Sequence, residues 1–334
     1  METDIACTHT LHGLENFNNT CSINSVLQAI YHLKPVIHFL MNSKSGDKFV
    51  ELLKNLYLEM ISNEKNNDDI VNAKTIEFLK QFQIYQIERT VNSVIGYVEQ
   101  QDCVELLEVI LNKIIYDNFT NTNPGLNNIA QSEGNNFKNL FYVNIEDLID
   151  CSNNHSPNIL KKCDIILRLG LPYEKDRVAL VDLLNDYFLN DDIEISSKCE
   201  CGSKRSVQKR FIDLPSIILI QLKRYLTTEN GSFKNKTLVP IDFNLEFNTF
   251  NQIKKEYELV SIVCHIDDDE SIQHGHYISY CREDNQSWSI YNDANVKLAN
   301  FADTETDDYR SCSENAYLLC YVNKQVTIFF YKSN

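Results

Sequence analysis

Up to about residue 120 the apolar residues recur at helical spacing, and beyond Phe137 they gather into shorter runs rich in Ile, Leu, Phe and Tyr. Val50, Leu53, Leu56 and Tyr57 share one helical face, and Ile76, Leu79, Phe82 and Gln83 lie near another. Phe211–Leu222, Tyr257–His265, His276–Cys281, Ser287–Tyr291 and Tyr317–Tyr331 have the composition of strands. Helices followed by strands, without regular alternation, exclude a doubly wound fold and predict an α+β layout with an antiparallel sheet. No internal repeat or proline-rich linker interrupts the pattern. The 334 residues, 43% of them apolar, are therefore expected to fold as one domain over residues 1–334.

Charge and cysteine usage narrow the function. A formal net charge of −16 opposes binding to nucleic-acid backbones and suits a basic partner better. No apolar run approaches the roughly 18 residues needed to span a bilayer, and the start Met1-Glu2-Thr3-Asp4 lacks the features of a signal peptide. The eleven cysteines are odd in number in a long chain without an export signal, which predicts reduced thiols. A glycan on the sequon Asn18-Asn19-Thr20 would crowd Cys21, so an intracellular location, cytoplasmic or nuclear, is expected.

Cys21 itself opens a helix. Ile23, Val26, Leu27, Ile30 and Leu33 follow helical spacing, with Asn19 or Thr20 as N-cap. In the first turn, unpaired backbone N–H groups and the helix dipole favour a thiolate. A thiol mechanism also needs an imidazole, a group that orients it, and donors for the oxyanion. His276 follows Gly275, where backbone or substrate can approach closely, and opens a strand. Ser287–Tyr291 alternates as a return strand ending at Asn292-Asp293, one of which should orient His276. The Asn16 amide and the Cys21 N–H are the candidate oxyanion donors.

Four motifs in this order resemble the catalytic domain of the ubiquitin-specific proteases. Gly13 to Gln28 (G-L-E-N-F-N-N-T-C-S-I-N-S-V-L-Q) is similar to that family's Cys box, and Gln100 to Leu107 to its Q-Q-D-x-x-E-F-L helix. Leu214-Pro215 through Tyr225 resembles its L-P to L-K-R-F strand, and His274–Tyr277 with Trp288–Val296 its His box. Asn18 stands where the family has glycine and Ser22 where it has tyrosine. Asparagine tolerates the left-handed backbone such a glycine would supply.

The resemblance implies a papain-like α+β cysteine protease fold. A helical thumb would occupy about residues 1–130, mainly β fingers about 131–245, and an antiparallel-sheet palm about 246–334. It assigns Cys21 as nucleophile, His276 as base, Asn292 as third member of the triad, Asn16 as oxyanion donor and Asp293 as the second acidic position. Asp102 and Glu105, one turn apart, would hold the arginine-containing tail of ubiquitin, with Gly275 and Tyr277 also meeting substrate. Asn292 adds no charge to the imidazolium, so Asp293 is expected to supply part of it.

The implied activity is that of a deubiquitinating thiol isopeptidase acting as a monomer on ubiquitin or ubiquitinated proteins, with no organic cofactor, nucleic acid or membrane. A catalytically silent ubiquitin-binding scaffold and a protease for another ubiquitin-like modifier are the alternatives. Cys199-Glu200-Cys201 is one residue short of the family's C-x-x-C spacing. Cys151, His155, Cys199 and Cys201, with Cys163 in reserve, either hold a structural zinc or form a knuckle that has lost its metal.

Overall fold

The computed structural model describes residues 11–43, 45–62, 68–89, 101–120, 137–151, 153, 158–189, 201–203, 205–228, 231–266 and 275–326. The helical first third comprises α1 (Cys21–Tyr31), α2 (Lys34–Asn42), α3 (Lys48–Ile61), α4 (Asp68–Arg89) and α5 (Cys103–Thr120), followed by a short α6 (137–141). Two of these helices start on a recognisable local device. Pro35 occupies the first turn of α2, where its missing N–H costs nothing, and Asp47 caps α3 by accepting from Phe49 N and Val50 N. Phe49, Val50, Leu53, Leu56 and Tyr57 of α3 are all buried.

The buried stripe of α4 runs instead through Val71, Thr75, Phe78 and Phe82, while Ile76 and Gln83 are only half-buried. The expected face was rotated because Thr75 reads as polar. Its hydroxyl donates to Val71 O at 2.8 Å inside the helix, so the methyl side can enter the core.

Three strands form a separate sheet in the order β2-β1-β4, from β1 (Val143–Cys151), β2 (Asn158–Asp164) and β4 (Arg205–Asp213). The main sheet runs β12-β11-β10-β9-β13-β5-β3, and an additional strand, β8 (Asn244–Asn248), pairs with β9. Its members are β3 (Ile166–Gly170), β5 (Ile217–Lys223), β9 (Lys254–Ile266), β10 (His276–Arg282), β11 (Trp288–Asn292), β12 (Asn295–Ala299) and β13 (Ala316–Asn323). A hairpin of β6 (Tyr225–Thr228) and β7 (Gly231–Lys234) stands apart. Of the described residues in 131–245, expected to be mainly fingers, β3 and β5 belong to the main sheet.

Three strand expectations change. The sheet is not wholly antiparallel, because β3 pairs parallel to β5. The run Phe211–Leu222 is cut at Leu214-Pro215-Ser216, which sends β4 and β5 into different sheets. Within Tyr317–Tyr331 the strand ends at Asn323, and residues 327–331 lie outside the described residues.

All eight residues of β13 are buried, as expected for a strand covered on both faces. Leu318 and Cys320 point into the core shared with α1 to α5. Leu319 and Tyr321 point into a second core, shared with α7 (Leu180–Leu189), α8 (Asp307–Asn315) and β8. Arg224, at the end of the L-K-R-Y motif, is fully buried beside that second core. Its guanidinium donates to four carbonyls: Ala316 O at 2.6 Å, Thr237 O at 2.8 Å, Ser313 O at 3.0 Å and Asn235 O at 3.1 Å. Burial lowers its pKa to about 10, so it stays charged at neutral pH. Arg224→Ala strands these carbonyls and is expected to cost at least ~3 kcal/mol, read as a fall in the urea midpoint. Arg224→Lys should recover only a minor part, because an ammonium cannot span the four acceptors.

Candidate active site

Cys21, His276, Asn292, Asn16 and Asp293 come together where α1 lies against β9, β10 and β11. Cys21 begins α1 and is 3% exposed. Thr20 is the N-cap, yet its hydroxyl makes no cap hydrogen bond to the helix. It turns back to accept from Phe17 N at 2.9 Å, which closes the loop in front of Cys21. Asn18 (φ 55°) and Asn19 (φ 61°) both adopt the left-handed conformation in that loop. Asparagine therefore does at position 18 what was expected of a glycine substitute.

The strand register delivers the base. In the antiparallel β10–β11 pair Ser279 opposes Tyr291, so His276 and Asn292 lie diagonally on the same face. Asn292 Oδ1 accepts from His276 Nε2 at 2.7 Å, which leaves Nδ1 for the thiol. The hydrogen bond to Cys21 raises the His276 pKa to about 9, against the lowering effect of burial. Asn292, the Cys21 charge and the Asp293 charge add in the same direction. The imidazole is thus held as an imidazolium beside Cys21.

Asp293 and Ala294 form the two-residue loop between β11 and β12, where Asn292 pairs with Asn295. Asp293 has φ 50°, a conformation that aspartate adopts more readily than most residues. Its Oδ2 lies 3.8 Å from His276 Nε2 and accepts from Asn16 Nδ2 at 2.9 Å, and its Oδ1 accepts from Asn24 Nδ2 at 2.8 Å. The Asn16 amide therefore has one N–H on Asp293 rather than both turned to the cleft. Its carbonyl accepts from Thr20 N at 3.1 Å, which fixes the amide orientation. Asn16 is exposed, as an oxyanion donor must be.

Two proposed substrate contacts have different places from those expected. Tyr277 is 1% exposed and stacks on His265 at 4.2 Å, so its ring supports the sheet and cannot face a substrate. Asp102 caps α5, accepting from Val104 N at 2.6 Å and Glu105 N at 3.2 Å, and its other oxygen accepts from the Tyr317 hydroxyl. Glu105 is exposed, and its carboxyl pKa is pushed up by burial, then by Asp102 and Glu108. Glu108, one turn on, pairs with Arg168. Gly275 is exposed at φ 142°, and a Cβ there would come within 2.6 Å of His265 Nε2. His274 and Gln100 lie outside the described residues.

The cysteines of the distant sheet show half of the expected metal set. Cys151 Sγ and Cys201 Sγ are 3.5 Å apart, close to the ~3.8 Å separation of two sulfurs on a tetrahedral zinc. His155 and Cys199 lie outside the described residues, among which no cluster of three or more ligands occurs. Cys163 opposes Asn144, seven residues along β1 from Cys151 or ~24 Å, and so cannot join them. No disulfide links the described cysteines.

Asn24, Tyr317 and Gly13 were not singled out from the sequence. Asn24 and Gly13 stand inside the Cys box, so position in the motif was a signal, whereas Tyr317 read only as a strand aromatic. A Cβ on Gly13 would lie 2.5 Å from Ala294 O, and Leu14 N donates to Asp293 O at 3.0 Å. Only glycine lets the Cys-box loop come so close to the hairpin.

Residues 12–321 match the family model described as ubiquitin carboxyl-terminal hydrolase. Ubiquitin carboxyl-terminal hydrolase 4 of Arabidopsis thaliana is 24% identical over 92% of this chain and 92% of that protein. Ubiquitin carboxyl-terminal hydrolase 8 of Saccharomyces cerevisiae is 24% identical over 95% of this chain and 71% of that one. The fold is similar to that of a SAGA Ubp8/Sgf11/Sus1/Sgf73 DUB module bound to ubiquitin aldehyde. That match has a TM-score of 0.75 and 22% identity, over 94% of this chain and 70% of that one. Among the described residues no helix is long and apolar enough to cross a membrane. With its fold, its motifs and the family model in agreement over almost the whole chain, the protein belongs to the ubiquitin carboxyl-terminal hydrolase family of cysteine-type deubiquitinases.

Proposed function

We propose that this chain hydrolyses the bond after the C-terminal glycine of ubiquitin through an acyl-enzyme on Cys21, and that it works inside the cell. The observation that carries the mechanism is the constellation of Cys21, His276 and Asn292, with Nε2 of the imidazole held at 2.7 Å and the thiol hydrogen-bonded to the ring. The Cys21 thiolate attacks the glycine carbonyl, and the oxyanion is met by the Cys21 N–H and the remaining N–H of Asn16. As the C–N bond breaks, the His276 imidazolium gives its proton to the departing amine. His276 then takes a proton from water, which attacks the thioester and releases the glycine carboxylate and the thiolate. No step calls for an organic cofactor.

Glu105 offers an exposed carboxylate to the basic tail of the substrate, while Asp102 shapes the groove by holding the start of α5 and the Tyr317 ring. We also propose that the catalytic unit is a monomer. We further propose that Cys151 and Cys201, with His155 and Cys199, hold one structural zinc that fixes the end of the three-stranded sheet. The 3.5 Å sulfur separation supports this.

The deciding experiment treats wild-type protein and Cys21→Ala with ubiquitin and related modifiers carrying C-terminal thiol-reactive warheads. A covalent ubiquitin adduct on wild type alone is expected. Binding without an adduct would mean a silent scaffold, an adduct only with another modifier would mean altered specificity, and an adduct on Cys21→Ala would refute the nucleophile. In the pH profile of kcat/KM the alkaline limb should fall near pH 9, where His276 loses its proton. Asp293→Ala should slow turnover nearly as much as Asn292→Ala and move that limb to lower pH, since the group that stabilises the imidazolium is gone. A silent Asp293→Ala in steady-state cleavage would dispose of its electrostatic role. Metal analysis of protein purified without added zinc should give about one equivalent, and a value below about 0.2 would remove the zinc.

A further inference from the structure

Asn24 follows Cys21 by one turn of α1 and is 2% exposed. Its Nδ2 faces three oxygens: Asp293 Oδ1 at 2.8 Å, Glu15 O at 3.1 Å and Leu14 O at 3.2 Å. All three only accept, so the position demands a donor. The amide thereby joins the helix of the nucleophile, the loop that carries Asn16, and the hairpin that carries the charge beside His276. The Asp293 contact has the largest consequence. Asp293 is a non-glycine residue at φ 50°, and its other oxygen has two neighbours to serve, Asn16 at 2.9 Å and His276 at 3.8 Å. Rotation about its side chain would take the charge away from both.

We propose that Asn24 is a positioning residue for hydrolysis: by holding Oδ1 of Asp293 it fixes the carboxylate rotamer that keeps Oδ2 beside His276 and Asn16. This rests on the roles proposed above for Cys21 and His276. The titratable groups facing His276 are Cys21 on α1 and Asp293 on the hairpin loop, and the one facing Asp293 is His276. Of these two groups Asn24 hydrogen-bonds only Asp293, so its influence on the imidazolium runs through that carboxylate. Loss of Asn24 should change the chemistry more than substrate binding.

The test measures kcat and KM with a fluorogenic ubiquitin C-terminal amide from pH 6 to about pH 10, with thermal unfolding of each protein. The set is wild type, Asn24→Ala, Asn24→Ser, Asp293→Asn and the double variant Asn24→Ala/Asp293→Asn. Asn24→Ala is expected to lower kcat about 10- to 100-fold with KM within about threefold, the scale of a small misplacement near the chemistry. Its alkaline limb should move down by about half a unit or more, as when a nearby opposite charge is lost. The double variant should be no slower than Asp293→Asn alone, and Asn24→Ser, which keeps one donor, should recover part of the rate. Additive losses in the double variant, or an unmoved limb in a folded Asn24→Ala protein, would overturn the assignment. Should Asn24→Ala not fold, Asn24→Ser decides: an unmoved limb, with kcat falling only as the folded fraction falls, overturns it equally. Failure of the catalytic reading shows separately, as turnover that survives Cys21→Ala, and it would take the Asn24 role down with it.

Discussion

The active site depends on one close approach, that of the loop Gly13–Asn16 to the hairpin loop Asp293-Ala294. The backbones meet through Leu14 N and Asp293 O at 3.0 Å, and a methyl group on Gly13 would push them apart. Across this junction the Asp293 carboxylate is shared between Asn16 and Asn24. The nucleophile helix and the strands bearing the base are thereby held in one geometry. Packing of α1 on β9 to β11 brings the elements near each other, and the junction sets the remaining ångström.

In the proposed mechanism the same junction accounts for a triad with a neutral third member. Asn292 gives the His276 imidazolium a short hydrogen bond, and bonds to charged groups are typically worth ~1.5–3 kcal/mol net. A charge at the 3.8 Å separation of Asp293 interacts with an imidazolium by between ~1 kcal/mol in water and ~4 kcal/mol near a protein surface. His276 is 37% exposed, which draws the value toward the lower end. The two contributions are therefore similar in size, and orientation and charge are divided between adjacent residues instead of residing in one aspartate.

What the sequence disclosed about this site was local in the chain. The helix at Cys21, the left-handed tolerance of Asn18 and the strand pair that brings Asn292 to His276 all follow from spacing and residue type. The Cys box also contained Asn24 and Gly13, but nothing in the one-dimensional pattern said that they reach the other end of the chain. Asp102 is expected from the resemblance to hold the substrate tail, and because its partner Tyr317 is 215 residues away only the fold reveals a cap buttressed by a phenol. The resemblance puts Tyr277 against substrate, yet strand alternation turns its ring away from the face of His276, onto His265. The parallel pairing of β3 with β5 and the rotated face of α4 were hidden for a similar reason: each depends on what lies across the contact.

Asn16 and Asp293 lie 277 residues apart in the chain. A ribosome adding roughly 5 to 20 residues per second takes on the order of 15 seconds to a minute to cover that distance. For most of that interval Cys21 is already made, but His276, Asn292 and Asp293, which would turn it into a nucleophile, are not. The order of the motifs thus acts as a timer in biosynthesis. A hydrolase of this design has no working site on a half-made chain, and its thiol is armed only as the last strands of the main sheet close.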